Sequence, residues 1–331
     1  MTNKICIIYS HHKLGDLIWQ LPYIKAISKH HEVPVDLIVR EKTQAKEILK
    51  DIEHLNEINY NAFRKGIFYW IDVLKLKKII SNNDYTHVYI LDKINKPAIA
   101  AKLSNIKNII GPGIKRQKKW LTTNIVLEDK DWELSYSEQS QKLLNLHGIK
   151  IKDIYPNIEI SKDRLNELKK NIPYAGKKIA FGVDSFEDYK IWYEENFIEL
   201  ANRLYDKGLF DYVYLICGKD KQSFAKKIIN KSKKDYFIDC SDLNLLDVMG
   251  ALKDSNFFVG NNSGPLNLSA ALNITSFGLF SNTPISQLKF SKVIPLTPIN
   301  YIDNQFIKNR EEMKKLTVDK VYNDIIQNLR L

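Results

Sequence analysis

Short apolar runs alternate with amphipathic runs along this chain, twice over, and that alternation leaves few folds open. "KICIIYS" (4–10) reads as a buried strand, and "LIWQLPYIKAISKHH" follows as a helix with Pro22 near its start. "PVDLIVRE" is a strand and "TQAKEILKDI" a helix; "FYWIDVLKLKKIISNN" is a helix, "THVYILD" a strand, "KPAIAAKLSNI" a helix and "KNIIG" a strand. Strands that are apolar throughout and joined through helices by short connections predict a parallel sheet covered on both faces.

The pattern lapses in "GPGIKRQKKWLTTNIVLEDKDWELSYS". A helix, "EQSQKLLNLHGI", then stops at Gly148, and Pro156 fixes an extended segment. A second alternating series opens with "KKIAFGVDS". In "ENFIELANRLYDKG", Phe197, Leu200, Ala201 and Leu204 fall at helical spacing and Gly208 closes the helix. Further strands are expected in "DYVYLICG", "YFIDCS", "NFFVG" and "ITSFGLF", and helices in "KDKQSFAKKIINKS", "NLLDVMGALKDS" and "PLNLSAALN"; Thr317 caps a final helix. The fold class is therefore α/β, with a boundary near 155–175 and two βα domains in tandem, over 1–160 and 161–316. The length of 331 residues suits two cores better than one.

No window approaches ~18 uninterrupted apolar residues, the length of a membrane span. The opening residues lack a signal peptide's apolar core and cleavage site. Cys6, Cys217 and Cys240 are scattered and odd in number, which predicts reduced thiols in a cytoplasmic chain and no metal site. The net charge is +11, and residues 1–155 hold 25 Lys and Arg against 17 Asp and Glu. That excess suits nucleic acid, an anionic membrane or an anionic substrate, or simply a lysine-solubilised surface.

Ligands of parallel α/β sheets bind beyond the carboxyl ends of the strands, so the strand-to-helix loops carry the chemistry. In "FFVGNNSGPLNLSAAL" (257–272), Ser263 or Gly264 would cap a helix and Pro265 would enter its first turn. Such a terminus offers unpaired N–H groups and a partial positive charge to a phosphate. It is equally good turn chemistry. In "FGVDSFEDYKIWYEENF" (181–197), Lys190 is placed to meet phosphates as a point charge. In "YSHHKLGDLIWQLPYI" (9–24), Gly15 and Asp16 stand where a helix begins, and His11 and His12 read as a solvated pair. There is no P-loop, no dinucleotide fingerprint in "GPGIKRQ" and no nucleophile elbow.

Together the three loops resemble glycosyltransferase family 9, the lipopolysaccharide heptosyltransferases. "GDLIWQLP" is similar to that family's first loop, "KIWYEENF" to the segment opening its second domain, and "NSGPLNLSAAL" to its late signature. The resemblance covers nearly the whole chain. It implies a GT-B architecture, with two Rossmann-like domains facing across a cleft and a final helix (317–331) returning to the first domain. It implies an inverting transferase that needs no metal or other cofactor and uses a nucleotide sugar, ADP-linked and by default a heptose, as donor. Asp16 would be the general base, and Lys13 and Gly15 would share its acceptor-side loop. Ser185, Lys190, Ser263 and Gly264, with Pro265, would hold the diphosphate; Asp220 would lie near the ribose and Leu243 near the base. Asn262 and Asn267 depart from the family's Asp and His, and "SNTPI" (281–285) departs as well. These changes leave the donor sugar open.

The implied acceptor is an anionic glycolipid or other envelope glycan. The enzyme would then be cytoplasmic and peripheral on the inner face of the inner membrane. Lys115, Arg116, Lys118 and Lys119, with Trp120 and Trp132, are the surface expected to touch it. Other readings are a degenerate member that binds without transfer, a transferase of another sugar, and a sugar-nucleotide epimerase of similar architecture. No motif supports nucleic-acid binding, and nothing sets an oligomeric state.

Overall fold

A computed structural model describes residues 3–170, 172 and 175–330, apart from the side chain of residue 287. The chain divides into two compact units, Met1–Glu159 and Ile160–Leu331.

The first unit contains strands β1 (Ile5–Ile8), β2 (Val35–Val39), β3 (Leu55–Tyr60), β4 (His87–Ile90) and β5 (Asn108–Ile110). Its helices are α1 (Leu14–Ile18), α2 (Leu21–His31), α3 (Ala45–Ile48), α4 (Tyr69–Ser81), α5 (Asn95–Leu103) and α6 (Tyr136–Leu146). The sheet is parallel, in the order β3-β2-β1-β4-β5. Every residue of β1 and β2 is buried, as strands covered on both faces must be. On one face Val73, Leu76 and Ile80 of α4 and Ala98, Ile99 and Ala101 of α5 pack with Cys6, Ile8, Ile38 and Val88.

The second unit contains β6 (Lys178–Gly182), β7 (Tyr212–Ile216), β8 (Phe237–Asp239), β9 (Phe257–Asn261), β10 (Thr275–Leu279) and β11 (Ile294–Leu296). Its helices are α7 (Lys162–Lys170), α8 (Glu194–Asp206), α9 (Gln222–Ser232), α10 (Leu245–Asp254), α11 (Gly264–Ala271) and α12 (Val318–Leu329). This sheet is parallel too, in the order β11-β10-β9-β6-β7-β8. Phe197, Leu200, Ala201 and Leu204 of α8 enter its core, as their spacing predicts, and Gly208 takes the left-handed conformation that ends the helix.

Three features differ from the sequence reading. The helix expected over "TQAKEILKDI" shrinks to α3, and the chain goes on into β3, whose residues are mostly half-exposed or exposed and so carry no strong apolar signal. Edge strand β11 has three residues and was equally faint. The last helix was expected on the first domain; its apolar residues Val318, Val321 and Ile325 lie in the second unit's own core, and α12 packs on α8. Residue 331, the end of that expected helix, lies outside the described residues.

Each sheet reverses its winding once. The chain moves outward through β1, β2 and β3, then returns to the other side of β1 for β4 and β5; it likewise leaves β6 through β7 and β8 and returns beside β6 with β9. Loops diverge at such reversals and leave a crevice at the carboxyl edge. Between β6 and β9, Gly182 faces Gly260 in register. A Cβ on Gly260 would lie 2.8 Å from the Gly182 Cα and 2.7 Å from the buried ring of Phe258, so only glycine lets that ring cross the pair.

Candidate active site

The carboxyl edge of the second sheet collects the residues singled out in that half. Asn262 to Gly264 follow β9, Ser185 and Lys190 follow β6, Asp220 follows β7 and Leu243 follows β8. Because β9, β6, β7 and β8 are consecutive in the sheet, four adjacent loops carry all of these candidates.

Ser263 is the N-cap of α11, Gly264 its first residue and Pro265 its second. The capping backbone is extended, yet the Ser263 side chain makes no capping bond, and its buried Oγ has no hydrogen-bond partner among the described residues. Buried polar atoms are normally paired, so an orphan hydroxyl beside the unpaired N–H groups of a helix start calls for an external acceptor. Gly264 has no left-handed φ, and a Cβ there would meet nothing within 4 Å. Neither strain nor packing within the chain requires glycine at this place. Asn267 lies one turn on, with its backbone N–H pointing to the Ser263 carbonyl at 3.4 Å. Asn262 donates to Thr283 Oγ1 at 3.3 Å, and the buried Ser185 hydroxyl donates to the Asn262 carbonyl at 3.4 Å.

Lys190 ends a tight turn, Asp188–Lys190, and its ammonium lies 3.2 Å from Glu187 Oε2. The next residues anchor that turn. The fully buried Trp192 donates from its indole to the Leu316 carbonyl (2.9 Å) and from its backbone to Asn261 Oδ1 (2.9 Å). Asn282 donates to the Tyr189 carbonyl, and Arg310 Nε to the Ile191 carbonyl at 3.0 Å. Asn261 and Asn282 escaped the sequence reading because an asparagine in a polar loop looks like turn chemistry. Asp184 escaped it as well. Its carboxylate accepts the Gly218 N–H at 2.7 Å, which joins the β6 and β7 loops, and burial raises its pKa above the usual carboxylate value. Asp220 is exposed on the next turn, and Leu243 is half-buried before α10.

At the first unit's reversal point, Asp16 sits in the first turn of α1, partly exposed, with Oδ2 3.5 Å from His11 Nδ1. His11 is not solvated as expected. It stacks on Tyr9 at 5.0 Å and meets Tyr136 edge-on at 4.1 Å. His12 and Lys13 are exposed and Gly15 is buried. Asp92, buried after β4, accepts the N–H groups of Ser10 (2.6 Å) and Ile94 (3.0 Å). Burial and the neighbouring carboxylates Asp16 and Asp92 raise the Tyr9 phenol well above its ordinary pKa; burial, Asp92 and Asp16 raise that of Tyr136. Arg40 closes the edge by donating to the carbonyls of Ser10, Ala62 and Phe63. Trp120 and Trp132 are half-buried, so they are not the free surface aromatics expected, although Lys115, Arg116, Lys118 and Lys119 are exposed.

Among the described residues no group of three or more His, Cys, Asp or Glu could hold a metal ion, and no helix is long and apolar enough to cross a membrane.

Two doubly wound parallel sheets in tandem, each with a polar constellation at its reversal point, are the GT-B architecture of glycosyltransferases. The profile of glycosyltransferase family 9 (heptosyltransferase) matches residues 73–325, and the chain belongs to that family. The fold is shared along the whole length with solved structures. An Escherichia coli ADP-heptose LPS heptosyltransferase II is 17% identical with a TM-score of 0.78, covering 98% of both chains. A glycosyl transferase family 9 protein of Veillonella parvula is 15% identical with a TM-score of 0.79, covering 99% of this chain and 97% of the other. The E. coli heptosyltransferase WaaC with ADP-2-deoxy-2-fluoro heptose is 18% identical with a TM-score of 0.73, covering 98% and 99%. A search of curated proteins finds no match.

The anchoring of the Lys190 turn is open to test. Asn261→Ala leaves the Trp192 N–H buried without an acceptor, which costs about 1–3 kcal/mol. The thermal midpoint of the second unit, followed by circular dichroism, should fall by several degrees.

Proposed function

We propose that the chain is an inverting glycosyltransferase. It moves a sugar, by default a heptose, from an ADP-linked donor to an anionic envelope glycan such as a lipopolysaccharide core. The observation that carries this reading is the start of α11, where a buried unpartnered hydroxyl, an open glycine and a helix N-terminus share one reversal point. The structure of a relative bound to an ADP-heptose analogue supports the choice of donor.

In this reading the donor lies along the carboxyl edge of the second sheet. The diphosphate sits at Ser263 and Gly264, near Ser185, the ribose at Asp220 and the base at Leu243. The acceptor hydroxyl gives its proton to Asp16 as its oxygen attacks the anomeric carbon opposite the diphosphate. A carbon–oxygen bond to the acceptor forms, the bond to the phosphate oxygen breaks, and the configuration inverts. Charge gathering on the diphosphate is met by the α11 N–H groups, the Ser263 hydroxyl and Lys190. Lys190 must exchange Glu187 for the diphosphate as the donor enters. His11 orients the Asp16 carboxylate, and Lys13 and Gly15 shape the loop on the acceptor side. Asn262 and Asn267 hydrogen-bond the transferred sugar without charge, so the donor sugar is the least constrained part of the proposal.

A second reading, binding without transfer, draws on Asn262, Asn267 and the paired state of Lys190. Asp16→Asn separates the two. Turnover with ADP-heptose should fall at least about a hundredfold while calorimetry with ADP is unchanged; unchanged turnover would remove Asp16 as the base, and ADP binding with no turnover in the wild type would favour the second reading. Gly264→Ala should leave the thermal midpoint unmoved, because its Cβ has room. It should weaken ADP binding at least about tenfold, because that Cβ occupies the space a phosphate needs.

A further inference from the structure

Helix α4 presents two unlike faces. Asp72, Val73, Leu76 and Ile80 are buried against the sheet. The opposite arc, about 140° wide at 3.6 residues per turn, carries Trp70, Ile71, Leu74, Lys75 and Lys78, all exposed. Trp70 is 58% and Leu74 59% exposed, and Ile67, in the turn before the helix, is 87% exposed. Phe68 beside it is exposed under the Arg64 guanidinium, which lies 4.3 Å from the ring centroid. Apolar groups this large and contiguous on one surface mark an interaction site.

The scaffold beneath them is pinned. The fully buried Asp72 pairs with Arg64 Nη2 at 2.8 Å and lies 3.5 Å from the ammonium of the buried Lys96, and the Asn61 side chain donates to the Asp72 carbonyl at 3.3 Å. The side chains of 67–74 are therefore displayed by a fixed turn and helix.

The charge around the patch has one sign. Asp72 is the only carboxylate between residues 64 and 81, and it is buried. Lys65, Lys75 and Lys78 are exposed and make no ion pair among the described residues. Helix α4 packs on α5, and α5 packs on the turn Lys115–Trp120, where Lys115, Arg116, Lys118 and Lys119 are exposed. From residue 93 to residue 127 the chain carries eight Lys and Arg and no Asp or Glu.

We propose that the outer face of α4 with its preceding turn, residues 64–78, docks this protein on an anionic lipid bilayer, with the basic 115–119 turn beside it as an electrostatic flank. An amphipathic helix with Trp, Ile and Leu on one arc, Lys75 at its edge and Lys78 one turn beyond Leu74 lies in the interface plane; the apolar side chains enter the acyl boundary and the cations meet lipid headgroups. Trp70 suits that boundary because its ring is apolar and its N–H is polar. A second copy of the chain is a poor occupant, because a two-fold pairing of this face sets lysines against lysines. The site is argued from exposure and charge alone and does not rest on the transferase reading.

Sedimentation with phosphatidylcholine vesicles, with and without phosphatidylglycerol, tests it without any donor or acceptor sugar. The full chain should partition onto the anionic vesicles. A Trp70→Ser/Leu74→Ser variant should lose at least about tenfold in partition coefficient, with an unchanged thermal midpoint because both residues are exposed. Lys75→Gln/Lys78→Gln should bind less and lose part of the preference for anionic lipid. Equal binding to both vesicle types, or undiminished binding by the apolar variant, overturns the proposal. So does light scattering that shows a wild-type dimer made monomeric by Trp70→Ser/Leu74→Ser, which would assign the face to a second copy.

Discussion

A parallel sheet that reverses its winding cannot cover its own carboxyl edge at the reversal, because the two loops there leave toward opposite faces. This constraint governs both halves of the chain. The two halves answer it differently. In the first unit the crevice is filled from within: the buried Asp92 takes up the Ser10 and Ile94 N–H groups, and Asp16 stands close by. In the second unit, among the described residues, no acid stands in the first turn of α11 and the Ser263 hydroxyl has no partner. In the proposed reading the first edge takes up a proton and the second an anion, the two needs of glycosyl transfer from a nucleoside diphosphate.

The alternation of apolar and amphipathic runs made the fold legible because β1, β2, β6 and β9 are buried at every residue and leave a mostly apolar trace, broken only by Asp36, Lys178 and Asn261. Strands at the rim did not. The residues of β3, "LNEINY", are mostly half-exposed or exposed, so sheet pairing rather than composition makes them a strand. The final helix shows a different limit. Its apolar stripe could be read from Val318, Val321 and Ile325, but a stripe states that a face is buried and says nothing of which core buries it. The Trp192 indole bond to Leu316 helps explain the outcome, since it fixes the residue just ahead of the helix to the second unit.

The candidate site was legible where a residue's place follows from its type, as for Asp16 in the first turn of α1 and Ser263 and Gly264 at the start of α11. It was hidden where the role comes from a contact distant in sequence. Asn261 serves Trp192 from 69 residues away and Asn282 serves Tyr189 from 93. His11 was read as solvated because its neighbour is a second histidine; only the fold places Tyr136 against it, at the start of a helix that lies far along the chain. Trp120 shows the opposite case, since an aromatic residue in a basic segment suggested a surface while packing against the first unit's core had partly used it; Trp132 is half-buried.

The altered signature can be weighed by charge. The family pattern that this chain resembles pairs an acid just before the helix cap with a histidine one turn into the helix, and here both positions are asparagine, Asn262 and Asn267. Losing either one alone would change the local charge beside the helix start. Losing both removes a negative and a potentially positive group together and leaves the turn's balance close to where it began. In the proposed reading the attraction for a diphosphate then rests on the α11 N–H groups and on Lys190, whose ammonium lies 3.2 Å from Glu187. An anion that displaces Glu187 gives up one ion pair and gains another with two or more oxygens available to the ammonium. The exchange therefore favours a diphosphate over a single carboxylate. The same proposal leaves Asn262 and Asn267 to the neutral sugar, where hydrogen bonding without charge is enough.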